Sequence, residues 1–323
     1  MTSIAPTAPA TALPADKLTG VACGVGAGAL WGLVFLAPKL VGDFGPMPLT
    51  IGRYLCYGLI ALALVAFRWR SLVARVTRSQ WLSLAWLACA GNTLYYLLLA
   101  GAVQTGGIAM TSLVIGFLPI AVTVIGSRDH GAVPLARLLL SLALCAAGVL
   151  CIGWQAVVQP ASGALGTQLL GLAFAVGALA SWTAYAVGNA RALHRLGDVT
   201  PHEWNLLTGI VTGAQSVALI PVAWLLGAGE HSAAAWAWLG VVCLGVAVLA
   251  SICGNGLWNR MSRLLPLTLV GQMILFETLF ALIYGFLWEQ RLPTVLEAAA
   301  LALVVLSVLS CLKAHRAGER AMA

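Results

Sequence analysis

Residues 79–127 read SQWLSLAWLACAGNTLYYLLLAGAVQTGGIAMTSLVIGFLPIAVTVIGS and contain no Asp, Glu, Lys or Arg. A helix rises about 1.5 Å per residue and needs roughly 20 apolar residues to cross a bilayer, so this stretch holds two crossings with a turn near residue 104. A second charge-free stretch, residues 138–190, holds two more. The strands of a membrane barrel would alternate polar and apolar residues over about ten positions. These runs are apolar throughout, so the spanning units are helices.

The composition agrees. Of the 323 residues, 61% are hydrophobic and 8% charged, with mean hydropathy +0.97, against roughly 25% charged in a soluble chain. Apolar runs bounded by charges, Gly or Pro predict ten spans: 21–41, 49–67, 81–103, 107–126, 134–154, 168–189, 204–226, 236–258, 265–287 and 293–312. No room remains for a sizeable soluble domain. The formal charge of +7 does not mark a nucleic-acid binder, because the basic residues are scattered between apolar runs. The eight cysteines lie nearly all in apolar segments, without CxxC spacing, and read as buried, inert thiols. The Pro/Ala/Thr-rich start, MTSIAPTAPATALPAD, lacks the basic region of a signal peptide, so the run from Val21 is a retained helix.

Basic loops stay cytoplasmic. With the N-terminus inside, the cytoplasmic segments hold Lys17; Arg68, Arg70, Arg75 and Arg78; Arg128 and Arg137; Arg191 and Arg195; Arg260 and Arg263; and Lys313, Arg316 and Arg320, which is 14 of the 17 basic residues. Lys39, Arg53 and Arg291 fall at or near outer helix ends. Both termini are therefore expected in the cytoplasm. Trp69, Trp81, Trp154, Trp236 and Trp288 lie near predicted helix ends, at headgroup level.

The two halves resemble each other. VGAGALW (Val25 to Trp31) aligns with VGALASW (Val176 to Trp182) at an offset of 151, NTLY from Asn92 resembles NGLW from Asn255, and Gly126 with Gly285 and Pro134 with Pro293 share an offset of 159. Five crossings per half is an odd number, so the second half enters from the opposite side, the inverted arrangement of many transporters. The expected organisation is a disordered cytoplasmic N-terminus (1–19), a first five-helix repeat (20–155), a second, inverted five-helix repeat (168–312) and a basic cytoplasmic tail (313–323). The fold class expected is thus an all-α membrane protein of ten transmembrane helices.

The Leu30-Trp31-Gly32 opening, Ile51-Gly52-Arg53-Tyr54 in the second span, WNRMSRL from Trp258 and the five-plus-five repeat together resemble the EamA-type branch of the drug/metabolite transporter superfamily over essentially the whole chain after residue 20. That resemblance implies an inner-membrane carrier of small metabolites, often an exporter of amino acids or drugs, with a central cavity lined by helices 1, 3, 4, 6, 8 and 9. The family pattern in helix 9 often places Pro directly after Glu. Here Glu277 is followed by Thr278, and Pro119 stands only in the corresponding place of helix 4, so a kink in helix 9 is not assured.

Helical spacing brings candidate substrate-binding residues onto shared faces. Asn92, Tyr95 and Tyr96 group on helix 3; Asn255, Trp258 and Asn259 on helix 8; Trp182, Tyr185 and Asn189 on helix 6; helix 1 offers Trp31, and helix 9 Gln272 and Glu277. Individually, Asn and Gln serve as interhelical hydrogen bonds at about 0.6 kcal/mol each and the aromatics as packing. Their recurrence at repeat-equivalent places points to a shared cavity. Glu277 lies near the middle of an apolar run, where a charge costs roughly 2.5–3.5 kcal/mol on insertion scales. Three roles stay open for it: binding a substrate ammonium, carrying a proton, or sealing a helix contact while neutral. Arg53 and Arg260 are placed toward membrane faces, where such side chains snorkel.

GxxxxGK[ST] and HExxH are absent and the five histidines fall in predicted loops, with Asp129-His130 in a cytoplasmic turn. The expectation is a secondary transporter without a cofactor or metal, exporting small amphipathic metabolites such as amino acids by alternating access, with protons as a candidate coupling ion. Multidrug or organic-cation efflux is the second reading. An intramembrane enzyme or sensor is the third, and it would need a second acid or a His in a neighbouring span.

Overall fold

The computed structural model describes residues 14–126, 134–158, 165–225, 231–288, 290 and 292–322. The expectations for residues 1–13, for the turn at Asp129-His130, and for Arg128 and Arg291 lie outside them. The described residues are almost entirely helical: α1 (Pro14–Leu40), α2 (Pro46–Val65), α3 (Trp69–Arg75), α4 (Arg78–Ala88), α5 (Leu94–Ile115), α6 (Leu118–Gly126), α7 (Leu135–Val158), α8 (Leu165–Leu193), α9 (Pro201–Leu225), α10 (Ala233–Val246), α11 (Asn255–Leu264), α12 (Leu267–Met273), α13 (Leu275–Trp288) and α14 (Val295–Met322). α4 runs into α5 through a π-helical segment, Cys89–Thr93, and α10 runs into α11 through another, Ala247–Gly254. The two sit at repeat-equivalent places, just at or before Asn92 and Asn255. A π segment re-aims side chains by inserting backbone into the helical ladder and is frequent at functional sites.

Among the described residues, seven helical stretches are long and apolar enough to cross a membrane: Asp16–Leu40, Pro46–Arg75, Arg78–Ile108, Leu169–Leu193, Pro201–Leu225, Ala233–Leu264 and Leu269–Trp288. The other three expected spans are not in that set. Span 107–126 is broken in two: Gly107 has φ 82°, a turn that only glycine enters freely, and the chain turns again at Gly116 and Phe117 before α6. Spans 134–154 and 293–312 contain shorter apolar helices, Leu135–Gly148 and Ala298–Cys311. Leu59, Leu139, Leu140, Leu169, Leu170, Val241 and Leu309 are exposed on outer helix faces, an arrangement suited to lipid and not to water.

Each main helix–helix contact joins one half to the other. α2 lies along α9, α7 along α14, α5 along α8, α6 against α12, and α1 between α11 and α13. Glycine permits the closest approaches. Gly20, Gly24, Gly28 and Gly32 recur every fourth residue, so they form one stripe on α1. A methyl group added at Gly28 would fall 2.5 Å from Phe276 Cβ and 2.9 Å from the Glu277 amide nitrogen, and one at Gly32 would fall 2.9 Å from the Ala281 amide nitrogen. The stripe therefore lets the α13 backbone touch α1 directly, as small residues do between membrane helices, and this contact sets Glu277 beside the turn that carries Trp31.

Helix 9 is interrupted even though no proline stands at the break. α12 ends at Met273, Ile274 is a turn, and α13 begins at Leu275 with Glu277 in its first turn, where the Glu277 amide donates to Ile274 O at 2.9 Å. An acid in the first helical turn is favourably placed against the helix dipole. Two further expectations are corrected. Cys89 and Cys253 are exposed, both in the π segments, and only Cys23, Cys145, Cys243 and Cys311 are fully buried. Arg53 does not snorkel: it is 5% exposed, because its place on α2 is covered by α9, α10 and α5.

Candidate functional site

Three tryptophans from three helices close into a triangle. Trp31 on α1 and Trp182 on α8 meet edge to face at 5.7 Å, Trp31 and Trp258 on α11 lie 4.9 Å apart at 38°, and Trp182 and Trp258 meet edge to face at 5.3 Å. Tyr185, one turn further along α8, stands 5.7 Å from Trp182, and Tyr95 on α5 stands 6.2 Å from it. Edge-to-face and offset arrangements favour the ring quadrupoles. Trp31 and Trp182 are the repeat-equivalent residues of the VGAGALW and VGALASW stretches, so the triangle lies where the two halves meet.

The expected polar residues divide between this cluster and its supports. The Trp31 indole N–H is shared between Ala250 O at 3.0 Å and Asn255 Oδ1 at 3.1 Å; in the π segment that carbonyl also accepts from the Asn255 backbone N–H. Asn259 accepts from Asn189 Nδ2 at 3.0 Å, and Asn189 Oδ1 accepts from Trp204 Nε1 at 3.0 Å. Asn92 donates to Thr212 Oγ1 at 3.3 Å, tying the first π segment to α9. Gln272 is not brought to the triangle. It is wholly buried in a separate network, with Oε1 accepting from Ser141 and Ser307, each at 3.1 Å, and Nε2 donating to Thr123 at 3.2 Å. Those partners come from α6, α7 and α14, so Gln272 clamps helices together.

Other residues of the site were not singled out by helical spacing. Arg53 donates through Nε to Ser251 Oγ at 3.1 Å, and its guanidinium carbon lies 4.2 Å from the Tyr96 ring centre and 4.9 Å from that of Tyr54. Tyr57 donates to the backbone and side-chain oxygens of Asn205 at 2.6 and 2.7 Å, and Asn205 donates on to Ile252 O at 3.1 Å. An Arg inside an apolar helix with no acid on the same helix is itself a functional signal, and Tyr54 and Tyr57 follow at one and four residues.

Glu277 is 3% exposed. Its carboxyl lies within electrostatic reach of the Arg53 guanidinium and of the Tyr95 hydroxyl. The helices agree: α5, which carries Tyr95 and Tyr96, packs against both α2 and α13. Arg53 Nη1, Tyr95 OH, Tyr96 OH, Trp258 Nε1, Glu277 Oε2 and Thr278 Oγ1 are buried without a hydrogen-bond partner. Such groups cost about 1–3 kcal/mol each when left unpaired, and more when charged. The arrangement thus offers an apolar aromatic seat, a cation and an acid inside one shell.

An open cavity of about 620 Å³ lies toward the Arg-rich end of α8, lined by Thr77, Gln80, Trp86, Gly188, Arg191 and Trp204 among others. Its floor includes Trp204, which is bonded to Asn189. Asn189 is seven residues beyond Trp182 on the same helix, about 10 Å along the axis. Trp204 thus links the cavity lining, through Asn189, to Asn259 on α11. Its rim is tied by an Arg75–Glu203 salt bridge, by Arg75 Nη1 donating to Asp198 O at 2.6 Å, and by Gln80 Nε2 donating to Leu196 O at 3.1 Å.

Residues 18–154 and 169–312 each match the EamA-like transporter family. The chain is 31% identical over 310 residues to the Inner membrane protein YtfF of Escherichia coli (strain K12), covering 92% of this chain and 96% of that protein. A solved crystal structure has the same fold, with a TM-score of 0.67 at 19% identity over 93% of this chain and 98% of the other.

Proposed function

Because the chain belongs to the EamA-like transporter family, we propose that it is a secondary transporter that exports small amphipathic metabolites such as amino acids across the inner membrane by alternating access. The carrying observation is the closed triangle of Trp31, Trp182 and Trp258, built by helices of both halves and placed against two π segments and the interrupted helix 9. In this reading ten spans form two inverted five-helix repeats at residues 20–155 and 168–312, and both termini are cytoplasmic. Substrate sites in such carriers lie near the bilayer midplane at the repeat interface, beside discontinuous helices. Trp31, Tyr95, Tyr96, Trp182, Tyr185, Trp258 and Glu277 then face the substrate, while Asn92, Asn255, Asn259 and Gln272 hold the helices that present them. The cavity above Trp204 is the vestibule on the Arg-rich, cytoplasmic side, and the Trp204–Asn189–Asn259 chain is the barrier that opens. The relative is described as an inner membrane protein, which supports the same membrane here.

One observation favours a second reading. An aromatic cage with a buried acid also suits an organic cation, and multidrug or organic-cation efflux is that alternative. Counterflow in proteoliposomes decides between the two. Vesicles preloaded with unlabelled substrate should accumulate labelled apolar amino acids and fail to accumulate tetraalkylammonium ions. The reverse result selects cation efflux, and counterflow of neither overturns both. Repeating the uptake with and without an imposed pH gradient tests protons as the coupling ion.

A further inference from the structure

Building on the transport reading above, we infer that Arg53 and Glu277 are the two poles of a binding site for a dipolar ion, with the guanidinium taking a substrate carboxylate and the Glu277 carboxylate taking its ammonium. Arg53 Nη1 and Glu277 Oε2 are each buried without a hydrogen-bond partner, so neither bonds the other. The helices that carry them, α2 and α13, both contact α5. A guanidinium stays charged under all ordinary conditions, and burying it unpaired is costly.

The rest of the Arg53 shell leaves one edge available. Nε is held by Ser251, and the planar face is covered by the Tyr96 and Tyr54 rings. These contacts fix the group's orientation while Nη1 is left for an incoming oxygen. A planar guanidinium with fixed orientation is well suited to a carboxylate. The hydroxyls of Tyr95 and Tyr96 and the indole N–H of Trp258, also unpartnered, add neutral donors in the same shell. The tryptophan triangle, joined to this shell through the Tyr95–Trp182 contact, offers an apolar seat for a side chain. Elsewhere Tyr57, Asn189, Asn205, Asn259 and Gln272 all have protein partners, and Ser112, Ser262 and Thr278 are the other buried unpartnered side chains among the described residues. A substrate bearing only a positive charge would leave Arg53 unpaired, so this site discriminates against organic cations.

The test is counterflow of labelled L-leucine and L-phenylalanine by the full chain in proteoliposomes, with their methyl esters and their deaminated acids as competitors. The parent protein should prefer each amino acid over its ester and over its acid by roughly 100-fold or more, because each analogue strands one buried charge. Arg53→Gln should lose the amino acids and narrow or reverse the preference against the esters. Glu277→Gln should do the same for the deaminated acids, and Arg53→Lys should recover part of the amino-acid flux. Equal competition by amino acid and ester in the parent protein overturns the Arg53 pole while the transport reading stands. Loss of both substrates to the same degree in Arg53→Gln, with the ester preference unchanged, also overturns it. Counterflow of organic cations but of neither amino acid overturns the dipolar site together with the amino-acid reading, and no counterflow of any solute overturns transport itself. The analogue series on the parent protein needs no variant to fold.

Discussion

Trp31 and Trp258 occupy the same triangle but differ in what their indole nitrogens do. Trp31 Nε1 serves two oxygens, whereas Trp258 Nε1 serves none. Trp31→Phe keeps an aromatic ring but removes the bonds to Ala250 O and Asn255 Oδ1, and should destabilise the protein by about 1–2 kcal/mol, read as a lower midpoint in thermal unfolding of the purified chain. Trp258→Phe removes no protein bond, so its midpoint should stay near that of the parent. If the N–H serves substrate, the half-saturation concentration in counterflow should rise several-fold. Equal midpoints for the two variants would show that the Trp31 bonds do not matter. That Trp31, Trp182, Trp258, Tyr95 and Tyr185 lie in one aromatic cluster was legible from helical spacing and the repeat, because both report which face of a helix a residue occupies. Arg53 was misplaced for a physical reason. Its depth along α2 is visible in the sequence, but the α5, α9 and α10 surfaces that cover it are not.

The glycine stripe and the interrupted helices make the contrast at the next scale. Gly20, Gly24, Gly28 and Gly32 are visible as a four-residue rhythm, and the structure spends it on a backbone contact between α1 and α13. Gly28→Ala should push these helices apart and cost about 1–3 kcal/mol. Gly240, on α10, has nothing within 4 Å of an added methyl group, so Gly240→Ala should be neutral or stabilising by up to about 1 kcal/mol. Thermal unfolding of both variants, with leucine counterflow alongside, checks this: a neutral Gly28→Ala would mean that the close approach is not needed. The break at Ile274 could not be anticipated in the same way. Its residue has no turn preference, and proline, the local cause that would have announced a kink, does not stand at the break. The turn comes from packing of α12 on α6 and of α13 on α1, two surfaces that one straight helix would have to satisfy together.

Over the whole molecule, charge distribution and packing give independent information. The Arg-rich segments after α2 and after α8 are brought together by the Arg75–Glu203 bridge and by Arg75 and Gln80 donating to Asp198 O and Leu196 O. That clustering is what common cytoplasmic placement requires. Reporter fusions after Ser71, after Arg191 and at the C-terminus should therefore report cytoplasm, and one within residues 160–166 periplasm. A periplasmic C-terminus would overturn both the ten-span reading and the inversion of the second repeat. The bridge itself is partly exposed and should contribute at most about 1 kcal/mol to stability.

Membrane insertion, helical class and repetition were determined by the sequence alone, because each follows from summed local quantities: hydropathy over a window, charge between windows, and similarity between halves. Partnership was decided only by tertiary structure. Gln272 and Glu277 lie on one short stretch of chain, yet the first is bonded into a clamp of α6, α7, α12 and α14 while the second keeps a buried oxygen unpartnered beside the aromatic cluster. Whether a buried polar group is satisfied depends on atoms supplied by distant segments and on how closely glycine lets those segments approach.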